Sequence, residues 1–383
     1  LAGLVWLVTR NPARAASVLL VDYSCALKLS TPLAVLAAMK EGVGRGVLVK
    51  GGRFLESLAA ADAVVFDKTG TLTESRPRVA EVIPGEGYER DDILRTAACL
   101  EEHFPHPVAR AVVRKAEQEG LHHQEEHTEV EYVVAHGIAS RLHGKRVLFG
   151  SRHYIHHDEG VPVDAMREDI ERLAREGRSI LYLAVDGKLA GLIAIEDPLR
   201  PEAAPVIRKL LGRGIRVVML TGDDERTAAA VAERLGINEY RSQVLPTDKA
   251  EVIRSLQAEG HTVAMLGDGI NDSPALSAAD VGVTLSDGAD LAREVADVVL
   301  TECRLDGLVT AVDLSKAAMR RIRTDFGLIM TLNTVFLASG LAGFLQPGPS
   351  ALLHNLTTVG VSLNAMRPML KAGAEPQLEE VSA

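Results

Sequence analysis

The sequence predicts an α/β soluble portion held between transmembrane α-helices, and three observations carry that prediction. A polar stretch from about residue 40 to 320 separates apolar runs near the two ends of the chain. Within it, three short apolar segments each run into a glycine-containing turn that bears an aspartate. Of 383 residues, 47% are hydrophobic and 25% charged, a balance that supports packed cores rather than disorder. At about 150 residues per domain, this length allows two or three domains. With 52 acidic and 42 basic side chains the formal charge is −10, the opposite of what a general nucleic-acid binder shows. Cys25, Cys99 and Cys303 lie far apart and in no Cys-x-x-Cys pair, which excludes a disulfide scaffold and a zinc ribbon.

The membrane elements come first and last. Leu1 to Val8 reads as the end of an earlier span, and with no initiator Met or signal-peptide pattern the chain is expected to be a piece of a longer one. Ala15 to Met39 is a second candidate span, interrupted by Asp22 and Lys28. A carboxylate inside a membrane is costly, so Asp22 is a functional candidate, with a structural Asp22–Lys28 ion pair as the alternative. Phe326 to Leu345 gives 20 residues without a charge; after Gln346-Pro347-Gly348, Pro349 to Met366 gives 18 more. Each is about the length that crosses a hydrocarbon layer as a helix. Lys316, Arg320, Arg321 and Arg323 precede this hairpin, and Arg367 and Lys371 follow it. The positive-inside bias therefore puts both its ends, and the large loop, in the cytoplasm of an integral plasma-membrane protein. Arg10 and Arg14 run against that bias. The tail after Leu370 is expected to be disordered.

The chemistry lies in the polar stretch. Ala63-Val64-Val65-Phe66, a buried strand by its continuous apolar run, ends in Asp67-Lys68-Thr69-Gly70-Thr71. Ile215 to Leu220 runs into Thr221-Gly222-Asp223-Asp224, and Thr262 to Leu266 into Gly267-Asp268-Gly269-Ile270-Asn271-Asp272. A lone Asp-x-x-Gly is usually an ordinary turn. Three strand-end turns are different, because α/β sheets bind ligands at the carboxyl ends of their strands. Glycine lets backbone N–H groups face a phosphate. Lys249 opens a helix-like stretch after Pro246 and adds an ammonium for phosphate oxygens. Hard carboxylate oxygens suit Mg²⁺, which accompanies phosphate.

DKTGT, TGD and GDGIND, in this order and spacing, resemble the P-type ATPases. The resemblance covers nearly the whole chain. It implies a haloacid-dehalogenase-like α/β phosphorylation domain, with ATP and Mg²⁺ as cofactors and Asp67 as the residue phosphorylated by ATP. On the same match Lys249 and Thr221 steady the phosphoryl group, and Gly222 and Asp223 belong to the nucleotide side. Asp67, the Thr69 carbonyl and Asp268 hold Mg²⁺, and Asp272 supports that site. An aspartyl phosphate is a covalent intermediate whose transfer rests on positioning and charge neutralisation. Thr69 stands where hydrolytic relatives carry a second Asp, which implies a longer-lived intermediate.

Between about 80 and 190, Glu101, His106-Pro107, Ala135-His136-Gly137-Ile138 and Phe149-Gly150-Ser151 resemble the inserted α+β nucleotide-binding domain of the heavy-metal-translocating subclass. The match implies that Glu101, His106, Gly137 and Ile138 contact the nucleotide. Phe104-Pro105, Ala135 and Ser151 depart from the family pattern, and a loop histidine is the alternative for His106. Together these readings divide the chain into membrane segments (1–39), a phosphorylation domain in two parts (40–80 and 191–320), a nucleotide-binding domain (81–190), a transmembrane hairpin (321–370) and the tail (371–383).

In the same subclass a Cys-Pro-Cys, or a variant of it, breaks the helix before the phosphorylation domain. The matching stretch here keeps only Cys25, with Tyr23 and Ser24 at the other two places. Cys25, Asp22, Ser24, His354 and Thr358 are the candidate ligands of a transported transition-metal ion, with Asn333, Asn355 and Thr357 as further donors. One thiol among oxygen and nitrogen donors favours Mn, Zn, Co or Fe as divalent ions over Cu(I). A packing or interfacial role is the alternative for His354. The partners implied are the lipid bilayer and the metal cation; nothing in the sequence identifies a metal-delivering partner. No Thr-Gly-Glu actuator motif is present, so this stretch alone is not expected to complete a transport cycle. The alternatives are a haloacid-dehalogenase-like phosphatase and a pump remnant with a binding or regulatory role.

Overall fold

The computed structural model describes residues 2–74, 76–102, 107–121, 131–133, 137–268 and 270–370, with the backbone alone at 131–133 and 270. His106, Ala135, His136 and the tail from 371 lie outside the described residues. Contact clustering divides the chain into two units, residues 62–296 and residues 1–61 with 297–383.

The first unit, 62–296, holds five parallel strands in the order Val281–Leu285, Val263–Leu266, Ala63–Asp67, Arg216–Leu220 and Glu239–Arg241. All five residues of Ala63–Asp67 are buried, as a strand covered on both faces must be, and their apolar run is what such burial needs. The strand lies at the middle of the five, so Asp67 is placed between the ends of two neighbours. Helices Glu225–Leu235 and Lys249–Ala258 follow the sheet strands. The first is started by Asp224, whose carboxylate accepts from Arg226 N and Thr227 N.

Within this unit the chain leaves the parallel sheet after Leu72 and returns before the Ala203–Leu211 helix, with an antiparallel bridge between Thr73 and Leu199. The insertion is a six-stranded antiparallel sheet in the order Arg78–Pro84, Lys188–Glu196, Ser179–Val185, Lys145–Gly150, Gly137–Leu142 and Glu131–Val133. Strand alternation sorts its core. Val147 and Phe149 face Ile93, Leu94 and Ala97 of helix Arg90–Glu101 and Val112 of helix Pro107–Gln118. Leu148 faces the other way, toward Ile170 and Leu173 of helix Arg167–Arg175. The sheet takes residues 78–196, wider than the expected 81–190, because Arg78 pairs with Glu196 at its outer strand.

The second unit is mostly helical: Ala2–Thr9, Pro12–Leu19, Tyr23–Val43, Gly52–Ala60, Asp306–Ala342 and Pro347–Ala365, with Val47–Val49 antiparallel to Val298–Leu300. The expected single span over Ala15 to Met39 is two helices. Asp22 breaks it: its carboxylate accepts from Ser24 N and caps the second helix. Among the described residues two stretches are long and apolar enough to cross a membrane, Pro12–Val43 taken through that break and Asp306–Ala342. Pro347–Ala365 has 19 residues and carries His354, Asn355, Thr357 and Thr358 in its middle. The helix before the expected hairpin starts 20 residues earlier than the apolar run, at Asp306 rather than Phe326.

Candidate active site

Three turns at the carboxyl ends of the parallel strands bring the site together. Asp67, the last residue of the central strand, is buried, and Lys249 donates from Nζ to its Oδ1 at 2.7 Å. The same ammonium donates to Asp272 Oδ1 at 2.7 Å, so one cation bridges two buried carboxylates. Burial, helped by the charges of Asp272 and Asp268, pushes the Asp67 carboxyl up to about 7 against the pull of Lys249. For Lys249 the balance goes the other way: burial disfavours its charge, but Asp67 and Asp272 outweigh it and push its pKa up.

Gly70 explains its own place in the turn. Its φ is +78°, and a Cβ there would fall inside the Asp268 carboxylate. Only a residue without a side chain lets Asp268 lie against the turn that follows Asp67. Arg200 holds the turn from the other side, donating to Thr73 O at 2.9 Å and Gly70 O at 3.2 Å. The Thr69 side chain is exposed.

The TGD turn is tied to the same loop. Asp223 Oδ2 accepts from Lys68 and, at 2.9 Å, from Thr221 Oγ1, while Oδ1 accepts from Ser179 Oγ at 2.7 Å. Burial pushes Asp223 up, but the Lys68 charge and these donors overcome it and hold the carboxyl below its ordinary value. Thr221 thus gives its hydroxyl to Asp223. Gly222 has open space on its side-chain face, with Val244 O nearest at 3.9 Å.

On the insertion, Glu101 ends the Arg90–Glu101 helix, partly buried, and burial alone pushes its carboxyl up to about 7. Gly137 opens a strand where a Cβ would meet Phe149 O and the Tyr154 ring, each at 2.5 Å, so glycine alone permits that approach. Ile138 is buried in the sheet core.

Among the described residues no three His, Cys, Asp or Glu side chains are grouped closely enough to hold a metal ion. For Mg²⁺ that is no obstacle, because the ion is bound through one or two carboxylates, waters and substrate phosphates rather than a protein cage. Burial and the neighbouring Asp272 and Asp268 carboxylates raise Asp67 against the pull of Lys249, a concentration of carboxylates that suits a divalent cation. Asp67, with Asp268 lying against the turn that follows it, has the donor chemistry for that role.

The candidate transport ligands are only partly brought together. Asp22 Oδ2 accepts from Ser24 Oγ at 2.8 Å and from Cys25 Sγ at 3.0 Å. Asp22 is therefore joined by hydrogen bonds to Ser24 and Cys25, while Lys28 acts on it only as a nearby charge. His354 Nδ1 is 3.2 Å from Asn333 Oδ1, and Asn333 Nδ2 donates to Asp22 O at 3.5 Å. Thr358 instead donates to His354 O within its own helix, at 3.1 Å. Sequence reasoning named none of Lys68, Ser179 or Arg200 as site residues. Lys68 lies in a quoted motif, while Ser179 carries no motif signal at all.

Comparison with known proteins identifies relatives of nearly the whole chain. A family model for haloacid dehalogenase-like hydrolases matches residues 61–280. A zinc-exporting P-type ATPase of Mycobacterium marinum is 42% identical over 96% of this chain and 50% of its own length. A manganese-exporting P-type ATPase of Mycobacterium bovis is 41% identical over 96% of this chain and 51% of its own. Among solved structures, a zinc-transporting PIB-type ATPase in its E2.Pi state superposes with a TM-score of 0.66 at 36% identity, covering 91% of this chain and 56% of that one. The chain belongs to the haloacid dehalogenase-like hydrolases, and the relatives it resembles over nearly its whole length are heavy-metal P-type ATPases. It spans about half the length of the curated relatives it matches.

Proposed function

We propose that this chain carries the catalytic part of a pump that drives a transition-metal cation across a membrane through an aspartyl phosphate at Asp67. The Lys249 bridge between Asp67 and Asp272 is the observation that carries it. With Lys249 on Oδ1, Oδ2 of the ionised Asp67 attacks the γ-phosphorus of ATP. The new bond is Oδ2–P; the bond to the β,γ-bridging oxygen breaks, and its electron pair leaves with ADP. Bound Mg²⁺ supplies charge neutralisation for the phosphates. Lys249 holds the carboxylate ionised and in place, Asp272 holds Lys249, and Gly70 keeps Asp268 against the turn. Glu101, Gly137, Ile138 and His106 form the nucleotide side, and the large loop faces the cytoplasm of the plasma membrane.

For the cargo we favour a divalent first-row ion over Cu(I). Cys25 is the one thiol among the membrane donors, and Asp22 and Asn333–His354 add oxygen and nitrogen. Relatives named as zinc- and manganese-exporting are 42% and 41% identical and one named as probably copper-exporting is 37% identical, and export is the direction we assign. The test is labelling by γ-labelled ATP with Mg²⁺, quenched in acid. Wild-type protein should retain a label that hydroxylamine removes, as it removes acyl phosphates; label persisting in Asp67→Asn overturns the assignment.

A further inference from the structure

Three segments remote in sequence meet at one carboxylate. Lys68, buried and next to Asp67 in the chain, pairs with Asp223 and also donates to Ser179 Oγ at 3.3 Å. Ser179 donates in turn to Asp223 Oδ1 at 2.7 Å. Ser179 is the first residue of the Ser179–Val185 strand of the inserted sheet, and beside it Thr227 donates to Arg178 O at 3.3 Å. That strand pairs with Lys145–Gly150, which pairs with the strand opened by Gly137 and Ile138. One sheet therefore carries both the glycine expected at the nucleotide and a hydroxyl placed inside the Lys68–Asp223 pair.

We propose that Ser179 is a positioning residue for phosphoryl transfer. Its hydroxyl ties the inserted sheet to the Lys68–Asp223 pair and so sets where the turn bearing Asp67 stands when the sheet presents ATP. The proposal rests on the assignment of Asp67 as nucleophile. Its physical basis is the small number of alternatives open to the buried groups. Without Ser179 Oγ, Asp223 Oδ1 loses its donor and Lys68 loses its second acceptor, and a buried charge short of partners makes its surroundings rearrange. Lys68 is the peptide neighbour of Asp67, so the rearrangement falls on the nucleophile. Glu101, Gly137 and Ile138 lie on other elements and keep their places. Loss of the hydroxyl therefore slows the chemical step and leaves ATP binding alone.

The experiment follows the initial rate of acid-stable labelling against ATP concentration in the purified membrane protein, for wild type, Ser179→Ala and Ser179→Thr. Ser179→Ala should label about tenfold more slowly at saturating ATP, the scale of a lost hydrogen bond to a charged group, with KM within about twofold. Ser179→Thr, which keeps the hydroxyl, should return the rate to within about threefold of wild type. A role confined to packing would not be rescued in this way. Should the alanine variant not fold, Ser179→Cys, of similar shape with a much weaker donor, carries the same expectation. A wild-type rate in Ser179→Ala, a raised KM with unchanged rate, or a threonine variant no better than alanine would each overturn the proposal. Label that survives in Asp67→Asn instead brings down the nucleophile assignment, and this proposal with it.

Discussion

Two groups of buried polar side chains are built on opposite plans. In the α/β unit the site is made of full charges that neutralise one another: Lys249 between Asp67 and Asp272, and Lys68 against Asp223. In the helical unit the buried members, Asn333 and His354, meet through a hydrogen bond between an amide and an imidazole, and Asp22 is occupied in capping a helix. The contrast shows which site is ready for its ligand. On the function proposed above, charges fixed in a buried setting suit a phosphoryl group, whose transfer depends on electrostatic positioning. Donors that satisfy each other through a cap and an amide must exchange those bonds for a metal, so ion binding is expected to reshape the helices around it.

The largest test of this contrast removes the bridging cation. Lys249→Met leaves Asp67 and Asp272 facing each other without a counter-charge. Phosphoenzyme formation from ATP should fall by at least about a hundredfold, the scale of removing a preorganised electrostatic group. Stability, read by denaturant unfolding, should fall by about 3 kcal/mol for a broken buried pair. A labelling rate within tenfold of wild type would show that the α/β site does not depend on its fixed charges.

A smaller effect is expected in the helices. Asp22 accepts a hydrogen bond from the Cys25 thiol, so Asp22→Ala should weaken stimulation of ATP hydrolysis by Mn²⁺, Zn²⁺ or Co²⁺ about tenfold in metal concentration, the scale for residues that orient a ligand. Cys25→Ala should do the same or more. Stimulation by Cu⁺ alone, or an undiminished divalent response in both variants, would remove the mixed-donor site.

The smallest effect concerns Glu101, whose carboxyl burial pushes up to about 7. Between its ordinary value and 7 the folded chain holds a proton that the unfolded chain has lost, so this group's contribution to stability is full at low pH and declines as pH rises through that window. Partial exposure reduces the effect to about 1 kcal/mol. Glu101→Gln should flatten that decline in a pH series of thermal melts; an unchanged slope would show that the decline arises elsewhere.

The two plans also explain what the sequence made legible. Asp67, Lys249, Asp268 and Asp272 could be found because fixed charges and obligatory glycines leave a rigid spacing, and Gly70 shows why that spacing admits no substitute. Ser179 could not be found. A serine in Gly177-Arg178-Ser179-Ile180 acquires meaning only when strand pairing carries it to Asp223. In the helices, hydropathy located the apolar stretches but not the break at Asp22, because a window average cannot register that one carboxylate caps a backbone. It also located only the uncharged half of the Asp306–Ala342 helix.

That helix carries a mechanical consequence. Its 37 residues hold no proline and run without interruption, about 55 Å at the usual rise per residue. A hydrocarbon layer accommodates about 20 residues of it. On the membrane-spanning reading proposed above, the remainder, with Asp313, Lys316, Arg320, Arg321 and Arg323, is too charged to be immersed and stands in water as an extension of the same rod. A tilt applied to the wet half swings the dry half by the same angle, with no joint between them to absorb it. Asn333 lies in the apolar half of that rod, so the same swing would reach its contact with His354 on the Pro347–Ala365 helix.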